Sequence, residues 1–126
     1  MKKLFLTMCL TAMLSTPAIA ACEGGTLSND GQFCLCNMRL NWWSAATWCK
    51  ANGMHLATMY EACPDWDGTS GNGYPCPISG SSIGSDEHAW TATVSGEGYA
   101  YFVNPVSGYV STLSRSYPGA YALCAN

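Results

Sequence analysis

Positive charge is what this sequence has least of. Five Lys and Arg stand against eight Asp and Glu in 126 residues, for a net charge of −3 and a pI near 5.0. So few cations cannot make a basic face, which excludes binding to a nucleic-acid phosphate backbone. Charge of both signs is sparse at 10%, while 48% of residues are hydrophobic and 12% aromatic. Disordered chains show the opposite balance, so this chain is expected to fold, and its length allows one compact core. No apolar run is long enough to span a bilayer as a helix. Gly80-Ser81-Ser82-Ile83-Gly84 has Gly-x-Ser-x-Gly spacing but falls in an irregular Gly- and Ser-rich stretch rather than in a strand-to-helix elbow, His-Glu-x-x-His is missing, and His55 and His88 stand outside any recognisable acid–base constellation. The sequence therefore reads as non-catalytic. It also lacks C-x-x-C: Cys34-Leu35-Cys36 is a C-x-C, and the two histidines lie far apart, which argues against a zinc site.

What the chain does have is cysteine and glycine, eight and thirteen residues respectively, behind an export signature. Lys2 and Lys3 form a charged end, Leu4 to Leu14 an apolar run, Ser15-Thr16-Pro17 a polar breaker and Ala18-Ile19-Ala20 a small-x-small cleavage site. Residues 1–20 thus read as a secretory signal, which leaves 21–126 as a single domain that is secreted, periplasmic or displayed at a cell surface. In that domain Arg39, Lys50 and Arg115 face eight carboxylates, a balance of −5. Cys9 departs with the signal, leaving Cys22, Cys34, Cys36, Cys49, Cys63, Cys76 and Cys124, an odd number in an oxidising compartment. Two readings of the surplus thiol remain open. Ile19-Ala20-Ala21-Cys22 is similar to a lipobox, which would make Cys22 a lipid anchor; ordinary cleavage after Ala20 would leave Cys22 free to form a bridge.

Along the mature chain, turn signals at Gly24-Gly25 and Asn29-Asp30-Gly31 predict a hairpin or looped amino terminus, which Cys22 and Cys34 can staple. Asn41 then caps a helix in which Trp42, Ala45, Ala46 and Cys49 recur at i, i+3, i+4 and i+7, ended by Gly53. Trp42 is expected as a core anchor flanked by Trp43 and Trp48. Met54 to Ala57 reads as a short strand, and Thr58 with Glu61 has capping-box spacing for a second helix that ends before Pro64. Residues 64–87 are rich in Gly, Ser, Pro and Asp and form a long irregular loop, closed in its first half by a Cys63 to Cys76 bridge. Asp65-Trp66-Asp67-Gly68 and Asn72 offer oxygens in the manner of a calcium loop, but the twelve-residue loop with its terminal Glu is not present, and a solvated acidic turn explains them as simply. The remainder, His88 to Ser95, Tyr99 to Asn104, Tyr109 to Leu113 and Gly119 to Ala125, reads as an antiparallel meander. The expected class is α+β, two helices packed on a small twisted antiparallel sheet and stapled by disulfides.

The stretch from Leu40 to Thr58 closely resembles the W-x-x-A-x-x-x-C-x-x-x-G-x-x-L-A helix and strand of C-type lectin-like domains. Tyr121-Ala122-Leu123-Cys124 is similar to that family's last strand, and Ala89-Trp90-Thr91-Ala92 to a weakened Trp-Ile-Gly-Leu strand. The resemblance implies that Cys49 pairs with Cys124 and that Cys22 and Cys34 form the amino-terminal bridge of longer members, leaving Cys36 unpaired. It also implies a compact version of the fold. The Glu-Pro-Asn, Gln-Pro-Asp and Trp-Asn-Asp triplets through which family members bind sugar by calcium do not occur, and Asn104-Pro105 reads as turn chemistry.

The implied function is a recognition or adhesion module for an extracellular protein or glycan, independent of calcium and of any other cofactor or metal. Asp65, Trp66, Asp67, Asn72 and Tyr74 are the candidate ligand-binding residues, since exposed aromatics beside polar groups suit sugar rings and protein hot spots alike. The alternative is a structural envelope lipoprotein or surface-assembly subunit.

Overall fold

The computed structural model describes residues 22–77 and 87–126; the stretch read from sequence as a secretory signal and the carboxy-terminal part of the predicted irregular loop lie outside them. The described elements run in the order β1 (Gly25–Leu27), β2 (Phe33–Leu40), α1 (Trp42–Ala51), β3 (His55–Leu56), α2 (Met59–Ala62), β4 (Ala89–Val94), β5 (Tyr99–Val103), β6 (Val110–Ser114) and β7 (Ala120–Ala125). They form an α+β domain with both helices against one sheet.

Local chemistry starts most of these elements. The β1–β2 hairpin turns through Ser28, whose amide and hydroxyl both bond Phe33 and whose hydroxyl also donates to Asp30 at 2.7 Å. Asn41 caps α1 by accepting from the Ser44 amide at 2.8 Å. Gly53, at φ +75°, lets the chain leave the helix in the left-handed region, as predicted. Thr58 and Glu61 form the reciprocal capping box of α2: Thr58 N donates to the Glu61 carboxylate at 2.9 Å, and Glu61 N to the Thr58 hydroxyl at 3.1 Å.

Sheet order departs from the expected antiparallel meander. Strands β4, β5 and β6 do form one, but β7 returns to the middle of the sheet, giving the order β1-β2-β7-β4-β5-β6 with β3 also paired to β7. On one edge β7 runs antiparallel to β2, with Cys34 opposite Cys124; on the other it meets β4 in parallel at Tyr121 and Ala122 and then β3 at Cys124 and Ala125. The sheet is therefore mixed. The reason lies in the residues of β7, Ala-Tyr-Ala-Leu-Cys-Ala, which carry no charge and are apolar on both faces. A meander would leave such a strand at an edge, whereas the centre buries both faces and hydrogen-bonds both edges.

Alternation along β2 and β7 sends side chains into two cores. Cys34, Cys36, Ala122 and Cys124 pack with Ala45 and Cys49 of α1 and with Trp90; Phe33, Leu35, Leu123 and Ala125 pack on the other side with Met59 and Ala62 of α2, Trp66, Val103 and Val110. Trp90 is fully buried, and its indole N–H donates to Leu40 O at 2.7 Å, which ties β4 to the end of β2. Trp42 is only partly buried. Its indole N–H donates to Thr91 O at 2.9 Å, so this residue anchors the helix through a hydrogen bond as well as through packing.

Three disulfides close the domain: Cys22–Cys34, Cys49–Cys124 and Cys63–Cys76. Cys49–Cys124 spans 75 residues and joins α1 to the central strand, a loop for which the chain-entropy account gives roughly 4 kcal/mol. Close packing surrounds the amino-terminal bridge. A Cβ on Gly25 would stand 2.6 Å from Leu35 O, 3.0 Å from the Trp48 ring and 3.1 Å from Cys34 Sγ, so only glycine lets β1 approach there. Among the described residues Cys36 is the unpaired thiol, 1% exposed, and burial pushes its pKa up.

Two outcomes follow. Replacing Cys49 and Cys124 together by Ala should lower the unfolding free energy by about 2–5 kcal/mol in denaturant titration, and a loss under ~0.5 kcal/mol would show that the bridge does not constrain the fold. A thiol reagent should leave Cys36 unlabelled while the domain of residues 21–126 is folded and label it once that domain is unfolded; rapid labelling of the native protein would contradict its burial.

Candidate functional site

Cys63 ends α2 and, through Cys76, closes the first part of the predicted irregular loop into a ring of limited freedom. Inside it the chain is organised by side chains rather than by repeating backbone structure. Trp66 N bonds Cys63 O at 2.9 Å, and the indole turns inward between Tyr60 and Tyr101, at ring separations of 5.2 Å and 4.8 Å, with its N–H donating to Thr69 O at 2.8 Å. At 6% exposure Trp66 is a core residue, which corrects the expectation that its ring is free for a ligand. The burial of an indole beside two carboxylates requires those carboxylates to stay at the surface, and Asp65 and Asp67 are both exposed.

Asp67 is the hub of the loop. Its Oδ1 accepts from Thr69 N at 3.0 Å, from the Thr69 hydroxyl at 2.7 Å and from the Tyr74 hydroxyl at 2.6 Å. These bonds favour the charged carboxylate: the Tyr74 hydroxyl first, and then Thr69, hold Asp67 below the usual carboxylate range, and the same bond to Asp67 raises Tyr74. Asp67 therefore organises the loop through an oxygen that a ligand or cation would otherwise use. Among the described residues no three His, Cys, Asp or Glu side chains are grouped to hold a metal ion.

The loop is also bonded to the sheet. Gly71 and Val110 exchange two backbone hydrogen bonds, of 2.9 Å and 2.8 Å, and Tyr74 N donates to Gly108 O at 3.2 Å. Gly108 has φ +72°, and a Cβ there would overlap the Tyr74 backbone, so glycine is required both for the conformation and for the approach. The turn that presents Gly108 is built by Asn104, whose Oδ1 accepts from Val106 N at 2.9 Å and from Ser107 N at 3.1 Å.

Between the loop and this turn lies an open cleft of about 500 Å³, lined by Asp65, Tyr74, Pro75 and Pro77 on one side and Val106 and Ser107 on the other. Val106 is 52% exposed, and the Asp65 carboxylate has no hydrogen-bond or ion-pair partner among the described residues. Of the five candidate residues, the structure brings Asp65 and Tyr74 together in the cleft. It buries Trp66, commits Asp67 to the loop and places Asn72 exposed beyond the cleft lining. Sequence reasoning missed Val106 and Ser107. Asn104-Pro105 marked a turn there, but no local signal says that the turn folds against residues 64–77.

His55 has a partner that sequence reasoning also missed. Its Nε2 lies 2.9 Å and 2.8 Å from the two Glu61 oxygens, while Glu61 also accepts from Thr58 N. Burial acts to raise the Glu61 pKa, but the Thr58 amide and His55 outweigh it and hold the carboxyl below its usual range. The pair locks β3 to the start of α2. Its third neighbour, the Thr58 hydroxyl, is already accepting from Glu61 N at 3.1 Å.

The chain matches no family model and no curated protein.

Tyr74→Phe should raise the Asp67 pKa toward its unfolded value, read from carboxyl carbon shifts in an NMR titration. Because the folded-state value is depressed, the carboxylate's contribution to loop order is present above the unfolded pKa and is lost as pH falls through the folded one. An unchanged Asp67 titration in the variant would remove the tyrosine from its role. Gly108→Ala should destabilise the protein and increase amide exchange at Gly71 and Val110 selectively; uniform protection as in the parent would contradict the tight approach.

Proposed function

We propose that the mature chain is an exported, non-catalytic recognition module of compact C-type lectin-like fold, which binds an extracellular protein or glycan through the cleft between residues 64–77 and the Asn104–Gly108 turn without calcium. The observation that carries this reading is the cleft's rigidity. A disulfide, three prolines, the Asp67 hub and two backbone bonds to β6 hold an exposed, partly apolar surface in one conformation. A preformed surface loses little conformational entropy on binding, which is how a small site reaches useful affinity.

The fold assignment draws support from the helix sequence that begins at Trp42 and from its bridge to the last strand through Cys49 and Cys124. Calcium independence draws support from Asp67 Oδ1, which already accepts three hydrogen bonds from the protein. The lipoprotein alternative is weakened because Cys22 Sγ is bonded to Cys34, and a sulfur in a disulfide cannot also carry a lipid thioether.

Binding to an array of glycans and extracellular proteins tests the reading. A ligand found there should bind at least tenfold more weakly to Asp65→Lys and to Val106→Asp, a change of about 1.4 kcal/mol, and should survive calcium chelation. Both residues are exposed, so the variants should fold; undiminished binding by both would place the site elsewhere.

A further inference from the structure

A second concavity opens to solvent between α1, β3 and β4 and shares no lining residue with the cleft at the 64–77 loop. Trp42, Ala46 and Lys50 succeed one another at i, i+4 and i+8 along α1 and form one wall of a cleft of about 580 Å³; His55 and Leu56 of β3 and Ala92 of β4 form the rest with Met54 and Thr58. That volume falls within the range of small-molecule sites, which are mostly apolar with a few placed polar groups. The hollow exists because Ala46 and Ala92 are small where larger side chains would fill it.

Its walls are fixed before any ligand arrives. The Trp42 indole is held by its hydrogen bond to Thr91 O at 2.9 Å, and the His55 ring by Glu61 at 2.8 Å and 2.9 Å. The charge at its rim is distinctive in so acidic a chain. Arg39 is paired with Glu87 at 3.3 Å and lies over the Tyr121 ring, and Arg115 lies over Trp42 and Trp43 at 5.2 Å and 5.4 Å. Lys50 is the remaining Lys or Arg of residues 21–126. It is exposed and has no carboxylate partner among the described residues.

We infer that this cleft binds a small apolar molecule bearing a carboxylate, its hydrocarbon part against Trp42, Ala46, Leu56 and Ala92 and its carboxylate at the Lys50 ammonium. Charge complementarity favours the anion, since an uncharged analogue would forgo the ion pair with Lys50 and a cation would meet like charge. Nothing in the inference depends on the loop cleft, so either site can fail without the other.

Octanoate and 1-octanol are suitable probes, read by backbone amide shifts of the folded, oxidised mature protein. Octanoate should give saturable shifts at Ala46, Lys50, His55 and Ala92 and bind roughly threefold to fivefold more tightly than octanol, the contribution expected of one exposed ion pair. Lys50→Gln should bring octanoate down to the affinity of octanol without changing octanol binding. Ala46→Leu should abolish binding of both by filling the hollow, with Ala92→Leu as a second obstruction should the first variant fail to fold. The inference is overturned if octanoate gives no saturable shifts up to its solubility limit, if octanol binds the parent equally well, or if the shifts centre on another surface such as the groove beside Trp43 and Trp48.

Discussion

Everything in this domain is arranged around a strand that cannot be at an edge. β7 is uncharged, apolar on both faces and joined by Cys124 to the first helix. Its burial requires a layer on each side, and the chain supplies α1 on one and α2 with Trp66 on the other. Its two hydrogen-bonding edges are taken by β2 and by β4 followed by β3, so strands from both ends of the sequence converge on it. The Cys49–Cys124 bridge holds that convergence by shrinking the unfolded ensemble over most of the domain. A domain this small has a limited core, and covalent closure contributes where buried area is modest.

The remaining freedom is concentrated in the segment after α2, and the structure removes much of it by means other than a regular ladder. Cys63–Cys76 closes the ring, Trp66 anchors it in the core, Asp67 gathers Thr69 and Tyr74, and Gly71 pairs with Val110. Tyr74 belongs both to the bonds that stiffen the loop and to the cleft lining, whereas the other residues divide between the two. Asp67 and Trp66 have inward duties, while Asp65, Tyr74 and Val106 face the cleft. For the recognition role proposed above, a loop ordered before binding would lose little conformational entropy on binding.

What the sequence made legible is what depends on neighbours within a few residues. The Asn41 cap, the Thr58–Glu61 capping box, the Gly53 exit and the amino-terminal hairpin all appear where expected, because each satisfies local backbone groups. The Cys63–Cys76 ring was visible for the same reason, whereas Cys49 to Cys124 followed only from the family resemblance. The position of β7 was not visible: strand pattern marks a strand but not its partners, and the parallel pairing with β4 depends on contacts distant in sequence. Trp66 was misjudged because flanking carboxylates suggest solvent, yet successive residues can point in opposite directions. The cleft was only half visible, since Asp65 and Tyr74 lie in the loop while Val106 and Ser107 come from a turn that looked merely connective.

The most direct test of this architecture is disulfide mapping of the oxidised protein, by digestion without reduction and fragmentation of the linked peptides between Cys34 and Cys36. The structure predicts Cys22–Cys34, Cys49–Cys124 and Cys63–Cys76, with Cys36 as a free thiol. Cys49 bonded to any residue other than Cys124, or Cys22 recovered with a lipid in place of a bridge, would contradict it.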